Sequence, residues 1–245
     1  MKQVYFTLKE NSKIANGTWK MTLEGDVSAV GGSGKFVNIA LPGLFLRRPI
    51  SVCDLSQGIL TLVYKVVGKG TDAMSAMLPG ETLDILTGLG NGFDTSACRD
   101  SALLLGGGVG TAPLVMLARE LSRQGKRVTA VLGFNKASEI MLADELRSLG
   151  ATVYIATLDG SEGTRGFVTD VLREKGIEYD YYYACGPMPM LKAVCSHIEK
   201  PGEVSLEERM GCGFGICYGC SCHTTDGPRR VCADGPVFKK EKLQW

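Results

Sequence analysis

Cys212, Cys217, Cys220 and Cys232 stand in the spacing C-x4-C-x2-C-x11-C. Thiolates are soft ligands suited to iron and zinc. The first three match the plant-type spacing of a [2Fe–2S] cluster. Such a cluster needs thiolates that converge from a tight loop, and Gly211, Gly213, Gly215 and Gly219 let the backbone fold closely around it. N–H groups exposed by that loop can bond the sulfurs and tune the potential. A structural zinc site also takes four cysteines, though usually as two C-x2-4-C pairs, which three grouped ligands and one distant one fit less well. Disulfides are disfavoured by an odd count of nine cysteines and by the absence of an export signal. Cys222 lies in the same stretch and reads as an ordinary thiol, although sequence alone leaves it open as a ligand.

A second group could hold phosphate. Gly107, Gly108, Gly110, Thr111, Ala112 and Pro113 lie between the apolar run 102–105 and a helical pattern beginning at Leu114. A helix N-terminus after a parallel strand offers free N–H groups and a positive dipole end to a pyrophosphate. The strict G-x-G-x-x-G fingerprint is not met, because Pro113 takes the third glycine's place, and no acidic residue ends the next strand. Cys185, Gly186 and Pro187 follow another apolar run, at the end of a strand where ligands bind in such sheets. Both segments can equally be read as structural turns. In Arg48-Pro49-Ile50-Ser51 the arginine fork suits a pyrophosphate and the serine can donate to a ring nitrogen. An arginine pair is also common on a solvated edge. Gly68-Lys69-Gly70-Thr71 is a further possible phosphate seat, or a simple turn.

The elements that must position these residues fall into three stretches. Residues 1–97 contain short β-like runs such as 19–23, 35–40 and 60–65, broken by Gly and Pro, as in a barrel or sandwich, with one helix over 71–78. From about residue 98 strands and helices alternate. Strands are predicted at 102–105, 128–132, 153–156 and 181–184, and helices at 114–124, 139–149, 167–175 and 188–199. That alternation means βαβ units on a parallel sheet. Pro201-Gly202 marks a boundary, and 203–245 is a short cysteine-rich tail.

The 245 residues are 44% hydrophobic and 22% charged, enough for a sizeable core. A net charge of +1 gives no bulk attraction to nucleic acid or an anionic membrane. No apolar run reaches the roughly 18 residues of a membrane span. The start, Met1 to Phe6, opens into a strand-like pattern rather than a signal peptide, so a soluble cytoplasmic protein is expected.

In their order along the chain, Arg48-Pro49-Ile50-Ser51, Gly70-Thr71, the turn 106–114 and Cys185-Gly186-Pro187 resemble the ferredoxin–NADP reductase superfamily. The tail, with Glu208-Arg209-Met210-Gly211-Cys212 and Val231-Cys232-Ala233-Asp234-Gly235-Pro236, resembles the electron-transfer subunits of NAD-dependent (type B) dihydroorotate dehydrogenases. The resemblance covers essentially the whole chain. It implies a Greek-key β-barrel FAD domain (1–97), a parallel-sheet, Rossmann-like α/β domain for NAD (98–202) and a small [2Fe–2S] module (203–245). It implies FAD contacts at Arg48, Pro49, Ile50 and Ser51, at Val63, Tyr64 and Lys65, and at Gly70 and Thr71. It also implies an FMN-containing catalytic partner that oxidises dihydroorotate in pyrimidine synthesis, in a complex of two subunits of each kind. Electrons would pass from FMN through the cluster and FAD to NAD⁺. The cofactors carry the redox chemistry, so no side chain is named as catalytic. Two alternatives remain. One is a similar reductase subunit serving a hydrogenase or a ferredoxin-dependent transhydrogenase. The other is a zinc-stabilised binding module.

Overall fold

The computed structural model describes residues 1–245. Its first part is a closed antiparallel barrel of β1 (Lys2–Ala15), β2 (Thr18–Glu24), β3 (Phe36–Ile39), β4 (Arg48–Ser56), β5 (Ile59–Lys65) and β6 (Thr82–Leu89), ordered β1-β2-β5-β4-β3-β6. Phe6, Leu8, Met21, Leu23, Val37, Ile39, Leu60, Leu62 and Ile85 alternate inward and fill it. Helix α1 (Lys69–Ser75) follows β5. It begins two residues before the predicted 71–78 helix and ends three before it. The Thr71 hydroxyl accepts the Val67 N–H at 2.9 Å, which draws the helix start upstream.

The second part is a sheet ordered β10-β9-β8-β7-β11-β12-β15, the last strand, β15 (Val237–Lys239), coming from the end of the chain. It comprises β7 (Ser101–Gly107), β8 (Arg127–Phe134), β9 (Thr152–Thr157), β10 (Thr164–Arg165), β11 (Tyr181–Cys185) and β12 (Gly202–Ser205), all parallel, with helices α2 (Ala112–Arg123), α3 (Ala143–Ser148), α4 (Val168–Lys175) and α5 (Met188–His197). Ala102 and Leu104 pack on one face, Leu103 and Leu105 on the other, so β7 is apolar throughout. The helix predicted at 139–149 is corrected. A 3-10 turn covers Ala137–Glu139, Ile140 is extended and Leu142 is left-handed at φ 61°, so helix resumes only at Ala143. Met141 and Leu142 are both drawn into the core there, and that burial overrides the local helical spacing.

The chain after residue 205 adds the hairpin of β13 (Ser221–Thr224) and β14 (Gly227–Arg230), the short helix α6 (Val231–Asp234), and β15 (Val237–Lys239). The sheet therefore runs past Pro201-Gly202, because β12 pairs with β11 and β15 returns antiparallel to β12. Cys220 and Cys232 are buried against Phe36 and Leu89 of the barrel and Val204 of the sheet. No helix is long and apolar enough to cross a membrane.

The barrel is tied to the sheet by polar contacts. Arg119 on α2 meets Asp54 on β4 at 2.7 Å, and Glu120 accepts the Ser33 hydroxyl at 2.6 Å. At the connecting segment, Glu203 accepts the Asp94 N–H at 2.9 Å, and the Tyr183 hydroxyl donates to the Asp94 carbonyl at 2.8 Å. Glu203 is buried, and burial pushes its carboxyl up from 4.5 to about 7; Asp94 and Glu241 add to this, while the Asp94 N–H and Lys239 oppose it. An acid raised in this way binds its proton in the folded state first, so its contribution to stability falls as pH rises through that window. Glu203→Gln should therefore gain on the wild type between pH 5 and 8, by on the order of 1–3 kcal/mol in urea denaturation. A difference between the two proteins that does not change with pH would refute this.

Candidate functional site

The four cysteines lie in two pairs at the seam of barrel and sheet. The Cys212 N–H meets the Cys217 sulfur, and the Cys232 N–H meets the Cys220 sulfur, each at 3.4 Å. No three His, Cys, Asp or Glu side chains converge tightly enough to hold a single metal ion. Two pairs are what a two-iron cluster asks for, with two thiolates on each iron. Backbone donors are already turned onto three of the four sulfurs. Cys212 Sγ accepts from Phe214 N at 3.5 Å and Ile216 N at 3.3 Å, Cys217 Sγ from Cys212 N at 3.4 Å, and Cys220 Sγ from Cys232 N at 3.4 Å. Burial works against the Cys212 thiolate, but these N–H donors outweigh it and bring the thiol down to about 6. Burial pushes Cys232 up to about 12, with Cys220 adding to it. The donor set and its N–H cradle fit a [2Fe–2S] cluster.

The loop is shaped by its surroundings. Gly213 adopts φ +80°, and a Cβ there would run into the Asn38 side chain. Arg230 donates to the Gly215 carbonyl at 2.8 Å, pairs with Asp234 at 3.0 Å and lies over the Tyr218 ring. Cys220 and Cys232 are buried and Cys217 is exposed, with Phe214, Ile216 and Tyr218 exposed around it. Cys222 sits apart on the hairpin, opposite Arg229.

The segment Arg48 to Ser51 starts β4 beside β3, with Pro49 opposite Asn38, Ile50 opposite Val37 and Ser51 opposite Phe36. The Arg48 side chain crosses the first turn of α1, where a Cβ on Gly70 would overlap its guanidinium. Arg48, Gly70 and Thr71 are thus brought together, although the Thr71 hydroxyl is engaged with Val67 and Gly68. Neighbouring Arg47 is committed elsewhere, forking onto Asp84 at 2.9 and 3.0 Å. The Tyr64 side chain turns into the barrel and donates to Asn11 at 2.9 Å, while Asn11 donates to the carbonyls of Met74 and Met77 at the end of α1. Val63 packs against the sheet's core and Lys65 faces Glu139. The β4 ladder ends at Leu62, so 63–65 offers backbone rather than the Tyr64 ring to a ligand on that edge.

In the sheet, the glycine turn and the Cys185 segment meet where strand order reverses on either side of β7, the position at which such sheets bind ligands. Cβ atoms on Gly110 and Gly107 would sit 2.5 Å from the Cys185 carbonyl and 2.9 Å from Pro187 respectively. Cys185 is buried and its thiol is pushed up to about 12 by burial, with Glu207 adding and Ser205 opposing. Ala112 and Pro113 begin α2, buried. Two residues escaped the sequence reading. Asp159 follows β9, and its backbone N–H bonds Asn135 at the end of β8 at 3.2 Å. Its carboxylate is held below the usual range by the Ser161 hydroxyl at 2.6 Å and N–H at 2.9 Å. The signal in the sequence is an Asp-Gly after the third strand of the sheet, one strand beyond the usual place for such an acid. Asn38, in an otherwise apolar strand, donates to the Cys212 carbonyl at 3.1 Å.

A family model described as the iron-sulfur cluster binding domain of dihydroorotate dehydrogenase B matches residues 207–244, and one described as an oxidoreductase NAD-binding domain matches 104–196. The chain is 42% identical to the dihydroorotate dehydrogenase B (NAD(+)), electron transfer subunit, of Fusobacterium nucleatum, covering 95% of each chain. It is 44% identical to the subunit of the same name from Geobacillus sp., covering 98% of this chain and 97% of that one. Among solved structures, an NADH-dependent reduced ferredoxin-NADP oxidoreductase superposes with a TM-score of 0.89 at 30% identity, covering 98% of this chain and 90% of that one. A ferredoxin NADP⁺ reductase from Neisseria gonorrhoeae shares the fold at a TM-score of 0.69 and 15% identity, covering 80% of this chain and 90% of that one.

The Thr111 hydroxyl is fully buried and has no hydrogen-bond partner. Because the side chain is closed off from solvent, a ligand reaching this turn meets the Thr111 backbone first. Thr111→Val should raise stability by about 1 kcal/mol, since an unpaired buried hydroxyl is costly, and leave the KM for NADH unchanged. A higher KM in steady-state kinetics would mean that the hydroxyl is used by the ligand.

Proposed function

The chain belongs to the family of dihydroorotate dehydrogenase B (NAD(+)) electron transfer subunits, and on that premise we propose what it does and which residues do it. It is an oxidoreductase subunit of pyrimidine biosynthesis that passes electrons removed from dihydroorotate on a partner subunit to NAD⁺. When bound, FAD and a [2Fe–2S] cluster supply the electron relay between the partner's FMN and NAD⁺, which no side chain here can provide. The observation that carries this reading is the cysteine loop: four thiols in two pairs, with N–H donors aimed at three of them.

Cys212, Cys217, Cys220 and Cys232 ligate the cluster and Cys222 does not. Arg48 meets the FAD pyrophosphate, with Gly70 and Thr71 keeping the approach open and the backbone of β5 lining it. Pro49, Ile50 and Ser51 border the flavin ring. Gly107, Gly108, Gly110 and the N–H groups opening α2 seat the NAD pyrophosphate, with Cys185, Gly186 and Pro187 on the other wall. Asp159 is the carboxylate that meets the adenosine ribose, a role usually given to the second strand. Its ionised oxygen accepts from a 2′-hydroxyl and repels a 2′-phosphate. Residues 1–97, 98–202 and 203–245 act as the FAD, NAD and cluster parts, with β12 and β15 fastening the third to the second. Cys217 and the exposed Phe214, Ile216 and Tyr218 face the FMN-containing subunit, in a cytoplasmic complex of two subunits of each kind.

Mixing the purified holoprotein with an FMN-type dihydroorotate dehydrogenase from the same source should give NAD⁺-dependent orotate formation. If none forms while NADH still reduces the bound flavin, the partner is a different one, of the ferredoxin-dependent transhydrogenase type. Cys217→Ser should abolish the cluster's visible bands and leave flavin reduction by NADH, whereas Cys222→Ser should keep both. Asp159→Ala should shift kcat/KM toward NADPH relative to NADH by about tenfold or more, ~1.4 kcal/mol in discrimination. An unchanged ratio would remove Asp159 from the ribose site.

A further inference from the structure

Asn38 is 1% exposed in a strand whose other members, Phe36, Val37 and Ile39, are buried and apolar. Alternation along β3 sends Val37 and Ile39 into the barrel core and leaves Phe36 and Asn38 on the outer face, where Phe36 packs with Cys220 and Cys232. Asn38 Nδ2 donates to the Cys212 carbonyl at 3.1 Å, and the next residue, Gly213, has room for no side chain against that amide. Across the ladder Asn38 faces Pro49, inside the segment Arg48 to Ser51. Its own carbonyl accepts from Arg47 at 3.3 Å, and Arg47 is fixed in turn by Asp84. Asn38 Oδ1 is buried and unpartnered. Buried amides are normally satisfied, and an apolar residue here would fit the strand better.

We infer that Asn38 is the positioning residue that couples the cluster to the flavin, fixing the loop of the outer ligand Cys212 against the strand that borders the flavin ring. The inference rests on the cofactor assignments proposed above. Asn38 neither gives nor takes an electron or a proton. In the reverse direction, NADH would deliver two electrons to the flavin, of which the cluster takes one and the other stays on the flavin. The amide sets the spacing across which an electron passes, and with it the hydrogen-bonded surroundings of the Cys212 sulfur.

The test uses the assembled holoprotein with both chromophores present. NADH is mixed in a stopped-flow instrument, and flavin bleaching is separated from the slower bleaching of the cluster bands. Asn38→Leu should leave the flavin phase unchanged and slow the cluster phase severalfold, since electron transfer weakens with each ångström of added separation. It should also shift the EPR g-values of the reduced cluster. A wild-type cluster phase with an unchanged EPR spectrum overturns the inference, even if the variant melts earlier. If Asn38→Leu loses its cluster, Asn38→Ser is read in its place, since it keeps a donor in less volume. A slowed cluster phase with altered g-values in that variant supports the role, and wild-type values overturn it. A wild-type protein that lacks flavin or cluster bands would instead sink the cofactor assignments, which separates the two failures.

Discussion

β3 is four residues long and is covered on both faces, and the junction of the three parts depends on that double burial. Inward, Val37 and Ile39 complete the barrel, and the strand closes it by pairing with both β4 and β6. Outward, Phe36 and Asn38 form the floor on which the cysteine loop rests. A strand covered on one side only would let the loop drift from the barrel. Because both faces are packed, movement at the cysteines is resisted by the barrel core itself.

The same seam is fastened from the other side. β15 returns to the sheet, and just before it the Gly235 carbonyl accepts from Asn91, at the end of the barrel. Asn91 also donates to the Asp234 carbonyl at 3.0 Å, and Asp234 holds Arg230, which braces Gly215 in the loop. The cysteine stretch is thus enclosed between two barrel contacts, Asn38 and Asn91, rather than hung from a linker. This explains why Cys220 and Cys232 are buried while Cys217 alone is exposed. Cys220 and Cys232 are shielded from solvent, Cys212 is half-buried and Cys217 is open to it.

Much of this was legible in the sequence where one residue type has one physical use. The short β-like runs of residues 1–97 predicted a barrel or sandwich, which the structure resolves as a barrel, and the alternation of strands and helices after residue 98 predicted the parallel sheet. The cysteine spacing singled out the residues that the fold gathers into two pairs. What could not be read were long-range packing decisions. The core's demand for Met141 and Leu142 broke a helix whose local pattern was sound. The addition of β12 and β15 to the sheet depends on pairing partners up to 36 residues apart, as Glu203 and Lys239 are, and no local signal marks that. Tyr64 was expected at an FAD contact, yet strand alternation points its ring inward, away from the exposed edge.

The broken dinucleotide fingerprint departs from the strict pattern in its letters, while the close backbone approach that pattern provides is made elsewhere in the turn. In the strict pattern the third glycine permits close packing of helix against strand. Here Pro113 occupies that place, and it is harmless because proline in the first turn of α2 gives up an N–H that the helix would not have used. The close approach has moved to Gly110, whose missing Cβ admits the Cys185 carbonyl, and to Gly107, which admits Pro187. Asp159, the carboxylate proposed above for the ribose, lies not at the end of β8 but after β9, in a loop folded back onto β8 through the Phe134 and Asn135 carbonyls. The close approaches are made by neighbours of the expected residue. Hence the turn has to be judged by which backbone atoms approach one another, not by the order of its letters.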